Sequence, residues 1–414
     1  MTRACYISAL VLAAVAVGCT SRPPEAVDPA LVAEIQNIRA IDNHAHPARP
    51  TAQGEAPDRF YDALPVENLE PQSDPVGLQP GSPASVEAAR AMNGARGNTA
   101  KVLDVMGIET MLANRVEMGP GLDPSRFRWV PYADALMFPL DTSKLAAKNS
   151  DRKAFFALED IVRRRFLSEA GLQSPPGSLA DYLAKVVTPT LERHRQGGAV
   201  AEKFEAAYLR SLAFDPVERA AADRIYTRGG ALAEADYKPL QDFLFRYIAA
   251  ECGRLGMAVH LHTMAGAGGY FEVAGANPLL LESVLNDPSL RKTNFVMVHG
   301  GWPFIREIGS VLTKPNAYLD ISAQTLLLPP SSVAASLREW LAFLPEKVMF
   351  GTDAYPYTKE LGWEETGWIA ARNGRQALAI ALTGMVREGE ITRERASQLA
   401  HMVLHDNAKK LYGL

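Results

Sequence analysis

Cysteine is scarce in this chain of 414 residues, which contains only three. Cys5 and Cys19 lie within the first 20 residues, and Cys252 lies far from both. If the N-terminal segment is cleaved or modified, Cys252 has no partner and no internal disulfide can form. We therefore expect the fold to be held by its own hydrophobic core, which a chain of this length can supply.

The sequence also lacks an excess of charge of either sign. Its 43 Lys and Arg residues are set against 47 Asp and Glu residues, which gives a formal net charge of -4. Nucleic-acid binding requires a clustered basic surface. The composition therefore favours a small-molecule substrate over nucleic acid and leaves the oligomeric state open.

Long hydrophobic runs are absent as well. The mean hydropathy is -0.08, and an apolar run of 11 residues occupies positions 7–17. Such a run is too short to span a bilayer but fits the apolar region of a signal peptide that begins with Arg3.

The end of this run resembles the lipobox of bacterial lipoproteins, because small residues at 16–18 precede Cys19. We predict a signal peptide at 1–18, a lipid on Cys19 and a polar tether at 19–30. The acyl anchor would hold the protein in a lipid bilayer of the bacterial cell envelope, on the periplasmic side of the outer membrane. The alternative is an ordinary secretory signal with an incidental cysteine.

Eight short apolar segments rich in β-forming residues predict the fold. They lie at residues 38–43, 107–113, 128–137, 199–204, 257–261, 294–298, 317–321 and 347–350. Most are followed by a loop and a helical pattern, and alternating strands and helices form parallel sheets. Eight such units predict an α/β fold, a (β/α)₈ TIM barrel spanning residues 31–414.

Two stretches interrupt this alternation. Residues 51–100 are rich in Pro and Gly and are interpreted as a lid loop. Residues 141–196 have a helical, charged pattern with a Pro-Pro-Gly break at 175–177, and are interpreted as a helical insertion. Both follow predicted strands, so both should lie at the C-terminal face of the barrel, where active sites are built.

Polar side chains at strand ends predict a metal site. His44 and His46 alternate on the first strand, so they project to the same side about 7 Å apart. His262 ends the fifth strand, and Asp353 follows the eighth. Histidine nitrogens and carboxylate oxygens are typical zinc ligands. For Asp353 alone, capping of the next helix would be the simpler explanation.

Other candidate residues have more than one interpretation. His299 ends the sixth strand and could bind a second metal or donate a hydrogen bond or proton to the substrate. His260 lies one layer deeper than the fifth strand's end, and is either a substrate contact or a buried, hydrogen-bonded histidine. Lys203 could form a surface ion pair, contact a substrate carboxylate, or be carboxylated to bridge two metals. Arg210 and Arg115 are candidate anion contacts or ordinary solvated charges.

Together these motifs resemble the amidohydrolase superfamily, and in particular its Amidohydrolase 2 branch. The matching motifs are His-Ala-His at 44–46, His-Thr at 262–263, His-Gly-Gly-Trp-Pro-Phe at 299–304, Tyr-Leu-Asp at 318–320 and Gly-Thr-Asp at 351–353. Residues 257–353 are especially similar to the amidohydrolase domain fused to glutamine synthetase in some plants and fungi. His260 and the 141–196 insertion depart from that pattern.

The resemblance implies a distorted TIM barrel with a metal held by His44, His46 and Asp353. His262 would complete this site or hold a second ion. A carboxylated Lys203 would allow a two-metal site with His262 and His299. The expected cofactor is one or two divalent ions, zinc first and manganese as the alternative.

The leading hypothesis is hydrolysis of an amide, a lactone or another ester. A metal lowers the pKa of bound water from about 15.7 towards 7. Asp353 would accept the proton of this water, and His299 would stabilise the oxyanion. The alternatives are a metal-dependent, non-oxidative decarboxylase of an aromatic or unsaturated acid, and an inactive, lipid-anchored binding protein.

Overall fold

A computed structural model describes residues 27–51, 58, 62–358 and 360–414 of the chain. The predicted signal peptide, the lipidation site Cys19 and most of the tether lie outside the described residues, so these remain predictions. No helix in the described ranges is long and apolar enough to cross a membrane.

Eight parallel strands form the centre of the molecule. They are β1 Ala40–Ala45, β2 Ile108–Asn114, β3 Phe127–Val130, β4 Ala201–Phe204, β5 Ala258–His262, β6 Phe295–Val298, β7 Ala317–Asp320 and β8 Val348–Met349. Each of the eight predicted segments overlaps one of them. The third is shorter than predicted: β3 ends before Pro131, which has no N–H to donate to the ladder, and Asp134–Met137 forms a 3₁₀ turn.

Hydrogen bonds join these strands into a closed ring. The ladders run β1-β2-β3 and β4-β5-β6-β7-β8. The first seam, between β3 and β4, is closed by parallel bridges from Trp129 to Ala199 and from Tyr132 to Lys203. At the second seam, Asn43 N donates to the Phe350 carbonyl at 3.0 Å. The predicted TIM barrel is confirmed.

Helices surround this ring, as the alternating pattern predicts. They are α1 Pro29–Asn37, α2 Pro83–Ala91, α3 Thr99–Met106, α4 Ser143–Ala146, α5 Ser150–Glu169, α6 Leu179–Tyr182, α7 Thr188–Gln196, α8 Ala206–Leu209, α9 Arg219–Arg228, α10 Glu234–Leu255, α11 Glu282–Leu285, α12 Ile305–Val311, α13 Gln324–Leu327, α14 Pro330–Leu341, α15 Trp363–Arg387, α16 Arg393–His401 and α17 Asn407–Tyr412. Two π-helical turns, Leu183–Val187 and Met402–Asp406, connect α6 to α7 and α16 to α17.

The two stretches that interrupt the alternating pattern lie beside the barrel mouth, where active sites are built. The 141–196 insertion consists of α4 to α7 with a non-helical break at 170–178. Asn149 caps α5 by accepting from Arg152 N at 2.9 Å. The described part of 51–100 is not all loop, because it contains two 3₁₀ turns and α2. Residues 64–75 of this stretch line a cavity at the barrel mouth.

Buried apolar side chains fill the barrel. Seven of the eight strands contribute to one buried cluster, and Ala408 of the C-terminal helix α17 packs on it. The strand members of this cluster are Ile41, Leu112, Val130, Ala201, Ala258, Val296, Val298 and Met349. Burying such side chains contributes about 1.5–3 kcal/mol each. The polar strand ends are therefore held on a rigid frame.

Candidate metal centre

Three side chains from the two ends of the chain converge at the barrel mouth. Asp353 Oδ1 lies 3.1 Å from Nε2 of His44 and 3.3 Å from Nε2 of His46. The two Nε2 atoms are 3.2 Å apart. Asp353 has a φ of 59°, in the left-handed region, and its N–H donates to the His44 carbonyl at 2.8 Å. This backbone bond turns the carboxylate toward the histidine pair.

His46 is held from behind by two groups that the sequence analysis missed. Its Nδ1 lies 2.9 Å from Asp62 Oδ2 and 3.0 Å from the Tyr132 hydroxyl. A carboxylate behind a histidine fixes the tautomer that leaves Nε2 free for a metal. Burial lowers the pKa of His46, but the carboxylates of Asp62 and Asp353 outweigh burial and raise this pKa to about 10.

His44 is oriented by Asn114, whose Nδ2 lies 2.8 Å from His44 Nδ1. In this arrangement Nε2 of His44 carries the proton that contacts Asp353. The buried Oδ1 of Asn114 has no hydrogen-bond partner. Rotation of the amide by half a turn would direct Oδ1 at Nδ1 and place the proton there, with loss of the hydrogen bond from Nδ2 to the Ala45 carbonyl at 3.2 Å. Nε2 would then be free to bind a cation, so the orphaned oxygen fits a metal-bound state.

Asp42 fastens the loop after β8 to the end of β1. It accepts from the Thr352 N–H at 2.9 Å and from the Thr352 hydroxyl at 2.6 Å. It also accepts from the His44 N–H at 3.3 Å. Burial raises the pKa of Asp42 to about 7. This residue was not recognised from sequence, although it precedes the histidine motif directly.

His262 lies beside the centre but is turned away from it. Its Nε2 donates to the Met264 carbonyl at 2.8 Å, and its Nδ1 lies 3.6 Å from Glu205 Oε2. Its ring packs against that of His299, with the centroids 4.7 Å apart. Among the described residues, His44, His46 and Asp353 form the group whose possible metal-ligand atoms all lie within 4.8 Å of one another. In this rotamer His262 is a neighbour of the site and not one of its ligands.

His299 occupies the wall between the metal-ligand candidates and His262. Its ring centroid is 4.8 Å from that of His44. Asp320 Oδ1 accepts from the His299 N–H at 3.0 Å, and the Ser322 hydroxyl also donates to Asp320. Because Ser322 donates its only hydroxyl proton to Asp320, its oxygen accepts a hydrogen bond from Nδ1–H of His299 at 2.9 Å. Nε2 of His299 therefore carries a lone pair.

The structure places Lys203 and His260 deep in the barrel. The Lys203 amine is fully buried and paired with Glu205, so of the predicted alternatives the ion pair is observed, although it is not at the surface. His260 Nε2 lies 2.7 Å from the Tyr412 hydroxyl. Burial lowers the pKa of His260 to about 3, which matches the interpretation as a buried, hydrogen-bonded histidine.

The two arginines predicted as anion contacts face away from the cavity. Arg210 bonds to Gln241 at 3.0 Å and to Asp242 at 2.5 Å. Arg115 bonds to the Pro47 carbonyl and to Asp58, both at 2.6 Å. Their guanidinium groups are occupied by the protein, and neither lines the cavity. Charge was visible in the sequence, but these long-range partners were not.

A cavity of about 530 Å³ opens above the three converging side chains. His46, His262, His299 and Asp353 supply its polar inner wall. Its other walls include the apolar and aromatic side chains of Leu64, Val66, Leu69, Tyr208, Met264, Trp302, Leu327, Leu328, Tyr355 and Tyr357. Concave, mainly apolar cavities with a few convergent polar groups are typical of small-molecule sites.

Two imidazole nitrogens and a carboxylate oxygen form a donor set that suits a divalent transition metal. The protein is therefore a TIM barrel with a candidate divalent-metal site at the C-terminal ends of its strands. Residues 178–414 match the sequence model of the amidohydrolase family, and the chain belongs to that family.

Known proteins resemble this chain either in sequence or in fold. Protein fluG of Emericella nidulans is 30% identical over 184 residues, which are 43% of this chain and 20% of that protein. The chain thus spans a fifth of the length of the relative it matches. A proposed metal-dependent hydrolase from Lactobacillus casei aligns with a TM-score of 0.65 and 17% identity, over 92% of this chain and 97% of that one. A glucuronate isomerase from Caulobacter crescentus aligns with a TM-score of 0.58 and 14% identity, over 93% of each chain. At these identities the two structures show the fold alone.

Proposed function

We propose that the protein is a metal-dependent hydrolase that cleaves an amide, a lactone or another ester. The observation that carries this proposal is the approach of Asp353 Oδ1 to both His44 Nε2 and His46 Nε2, at 3.1 and 3.3 Å. These atoms lie at the floor of a cavity large enough for a small substrate. Zinc is the proposed metal, because nitrogen ligands with one carboxylate suit it, and manganese is the alternative.

When bound, a divalent cation supplies a Lewis acid that polarises a carbonyl group and lowers the pKa of a water molecule. Asp353 is ionised in the protein: burial raises its pKa, but His299, His44 and His46 outweigh burial and hold this pKa well below its usual range. Its carboxylate is placed to orient the attacking water. A proton taken from this water can pass through Asp353 to the leaving group.

The lone pair on His299 Nε2 changes the role that sequence analysis gave this residue. A histidine that donates from Nδ1 to Ser322 cannot donate from Nε2 while it is neutral. Burial lowers the pKa of His299 well below its usual range, so the neutral form dominates. We assign His299 to accepting a hydrogen bond from the attacking water, and the oxyanion donors are other groups.

Metal analysis combined with isotope labelling tests the function. We expect the purified wild type to contain one or two equivalents of divalent metal, and Asp353→Asn to lose the metal and at least 100-fold of its hydrolytic rate. Hydrolysis in H₂¹⁸O should place one ¹⁸O atom in the acid product. His405→Ala, a histidine change outside the site, is the matched control and should keep both the metal and the rate.

Other outcomes identify the alternatives. Release of carbon dioxide without ¹⁸O incorporation would indicate a decarboxylase. Wild-type protein that is purified without chelator and contains no metal would indicate the inactive binding protein. The lipid anchor is part of the same proposal and rests on the small residues before Cys19. Cell fractionation beside Cys19→Ala tests it, and equal membrane fractions of the two would contradict it.

A further inference from the structure

A hydrogen-bond donor would add to the proposed cation in stabilising the substrate oxygen that gains negative charge during hydrolysis. The histidine nearest the cavity does not supply it, because Nδ1 of His299 holds the ring proton. The described wall offers other donors, and two of them lie on opposite loops. They are the phenol hydroxyl groups of Tyr208, after β4, and Tyr355, after β8.

Aromatic neighbours hold the Tyr208 ring in the wall of the cavity. Its ring centroid lies 4.6 Å from that of His262, 4.9 Å from Phe271 and 4.8 Å from Phe155. A Cβ atom at Gly266 would lie 2.5 Å from the Tyr208 ring, so glycine is required for this close approach. The Tyr208 oxygen accepts from the Ala267 N–H at 3.3 Å. Its own proton has no acceptor among the residues that the structure describes.

Tyr355 is fixed through its backbone. Its N–H donates to the Thr366 hydroxyl oxygen at 3.2 Å, and this hydroxyl donates to the Tyr355 carbonyl at 2.8 Å. Its ring packs against Tyr357, with the centroids 5.6 Å apart. The Tyr357 hydroxyl is bound to Asp74 at 2.8 Å. The Tyr355 hydroxyl, in contrast, contacts no hydrogen-bond partner within the described part of the chain.

We propose that Tyr208 and Tyr355 donate hydrogen bonds to the carbonyl oxygen of the substrate and stabilise the oxyanion that forms there. This inference rests on the proposed hydrolase function. The substrate would be an ester, lactone or amide whose side group packs on the apolar wall that includes Leu69, Trp302 and Leu327. Fixed donors aimed at developing charge are typical of acyl-transfer sites.

Tyrosine-to-phenylalanine variants test the proposal, because they remove one oxygen and keep the ring. With phenyl acetate as the substrate, we expect Tyr208→Phe and Tyr355→Phe each to lower kcat by about 10- to 100-fold with little change in KM. Metal content should stay at the wild-type level. Tyr226→Phe, whose hydroxyl bonds to the Pro176 carbonyl at 2.7 Å in an outer groove, is the matched control.

A binding measurement gives a readout that does not depend on turnover. Phenylphosphonate carries the tetrahedral, anionic oxygens of the intermediate. We expect each site variant to bind it about tenfold more weakly than the wild type. Wild-type phosphonate affinity and wild-type kcat in both variants would overturn the proposal.

The two proposals fail differently. If the wild type binds phenylphosphonate through both tyrosines but hydrolyses nothing, the hydrolase function fails and the assignment of the donors survives. If the wild type hydrolyses phenyl acetate and both variants match it, the assignment fails and the function survives.

Discussion

His46 illustrates how much of a metal site lies behind the ligands. Its Nδ1 contacts Asp62 at 2.9 Å, and the Tyr132 hydroxyl bonds to the other Asp62 oxygen at 2.5 Å. Tyr132 therefore orients the Asp62 carboxylate, which in turn orients the imidazole ring of His46. Such partners set the orientation and basicity of a ligand histidine.

Asp62→Asn should therefore weaken metal binding by about 10- to 100-fold without abolishing it. The amide has no charge with which to hold the His46 Nδ1 proton, so the ring loses its preferred tautomer. Competition with a chromogenic chelator measures the affinity. Asp104→Asn, which alters a surface pair with Arg39, is the control. An unchanged affinity in Asp62→Asn would show that the ring is oriented without this carboxylate.

The candidate ligands at strand ends were predictable from sequence. The residues that hold these ligands in position were not. His44, His46 and Asp353 each follow an apolar strand, so their spacing alone places them at one end of the barrel. Asp62 lies in the Pro-rich stretch after β1, where no local pattern specifies its contact. Tyr208 and Tyr355 resemble ordinary core aromatics, and only the cavity distinguishes them.

The insertion helix α5 connects two parts of the barrel mouth. Asp151 in its first turn accepts from Glu70 N at 2.7 Å and from Tyr270 N at 3.1 Å. The first contact holds the lid stretch and the second holds the loop after β5. The helical, charged pattern of 141–196 predicted a helical insertion here. Its contacts join residues far apart in sequence, so periodicity alone could not indicate them.

The same helix contains a buried acid, Glu159, and two further acidic side chains, Asp134 and Glu205, lie near it. Its Oε1 has no hydrogen-bond partner, and neither has Oδ1 of Asp134. Burial raises the pKa of Glu159 well above its usual value, and the charges of Asp134 and Glu205 add to the increase. Burial likewise raises the pKa of Asp134 to about 8. The folded protein therefore favours the protonated form of Glu159.

Glu159→Gln should stabilise the protein at pH 8 and have little effect near pH 4.5. A folded pKa above the unfolded value gives stability that is present below the unfolded pKa and is lost as pH rises. Glutamine mimics the protonated acid at every pH, so the expected gain at pH 8 is about 1–3 kcal/mol. Urea unfolding at the two pH values measures it. Glu169→Gln on the same helix, in an exposed ion pair, should change little, and an equal gain in both variants would contradict the argument.

In the molecule as a whole, the candidate metal centre lies across the seam that closes the barrel. His44 and His46 end β1, and Asp353 follows β8. The seam itself has few backbone bonds, including those from Asn43 N to the Phe350 carbonyl and from Asp353 N to the His44 carbonyl. The order of strands along the chain predicted that the first and last would meet. The local pattern could not predict that β8 would form a ladder of only two residues, Val348–Met349.

Because its ligands come from both sides of this seam, metal removal should destabilise the whole barrel. A ligand present at about 1,000 times its Kd stabilises the folded state by about 4 kcal/mol, which for a chain of this size corresponds to a fall in Tm of about 5 °C after chelation. Differential scanning calorimetry of wild type with and without dipicolinate measures the fall, and zinc should restore the Tm. Asp353→Asn should begin near the chelated value and respond to neither reagent. If chelation lowered the Tm of wild type and Asp353→Asn equally, the stabilising ion would be bound elsewhere in the protein.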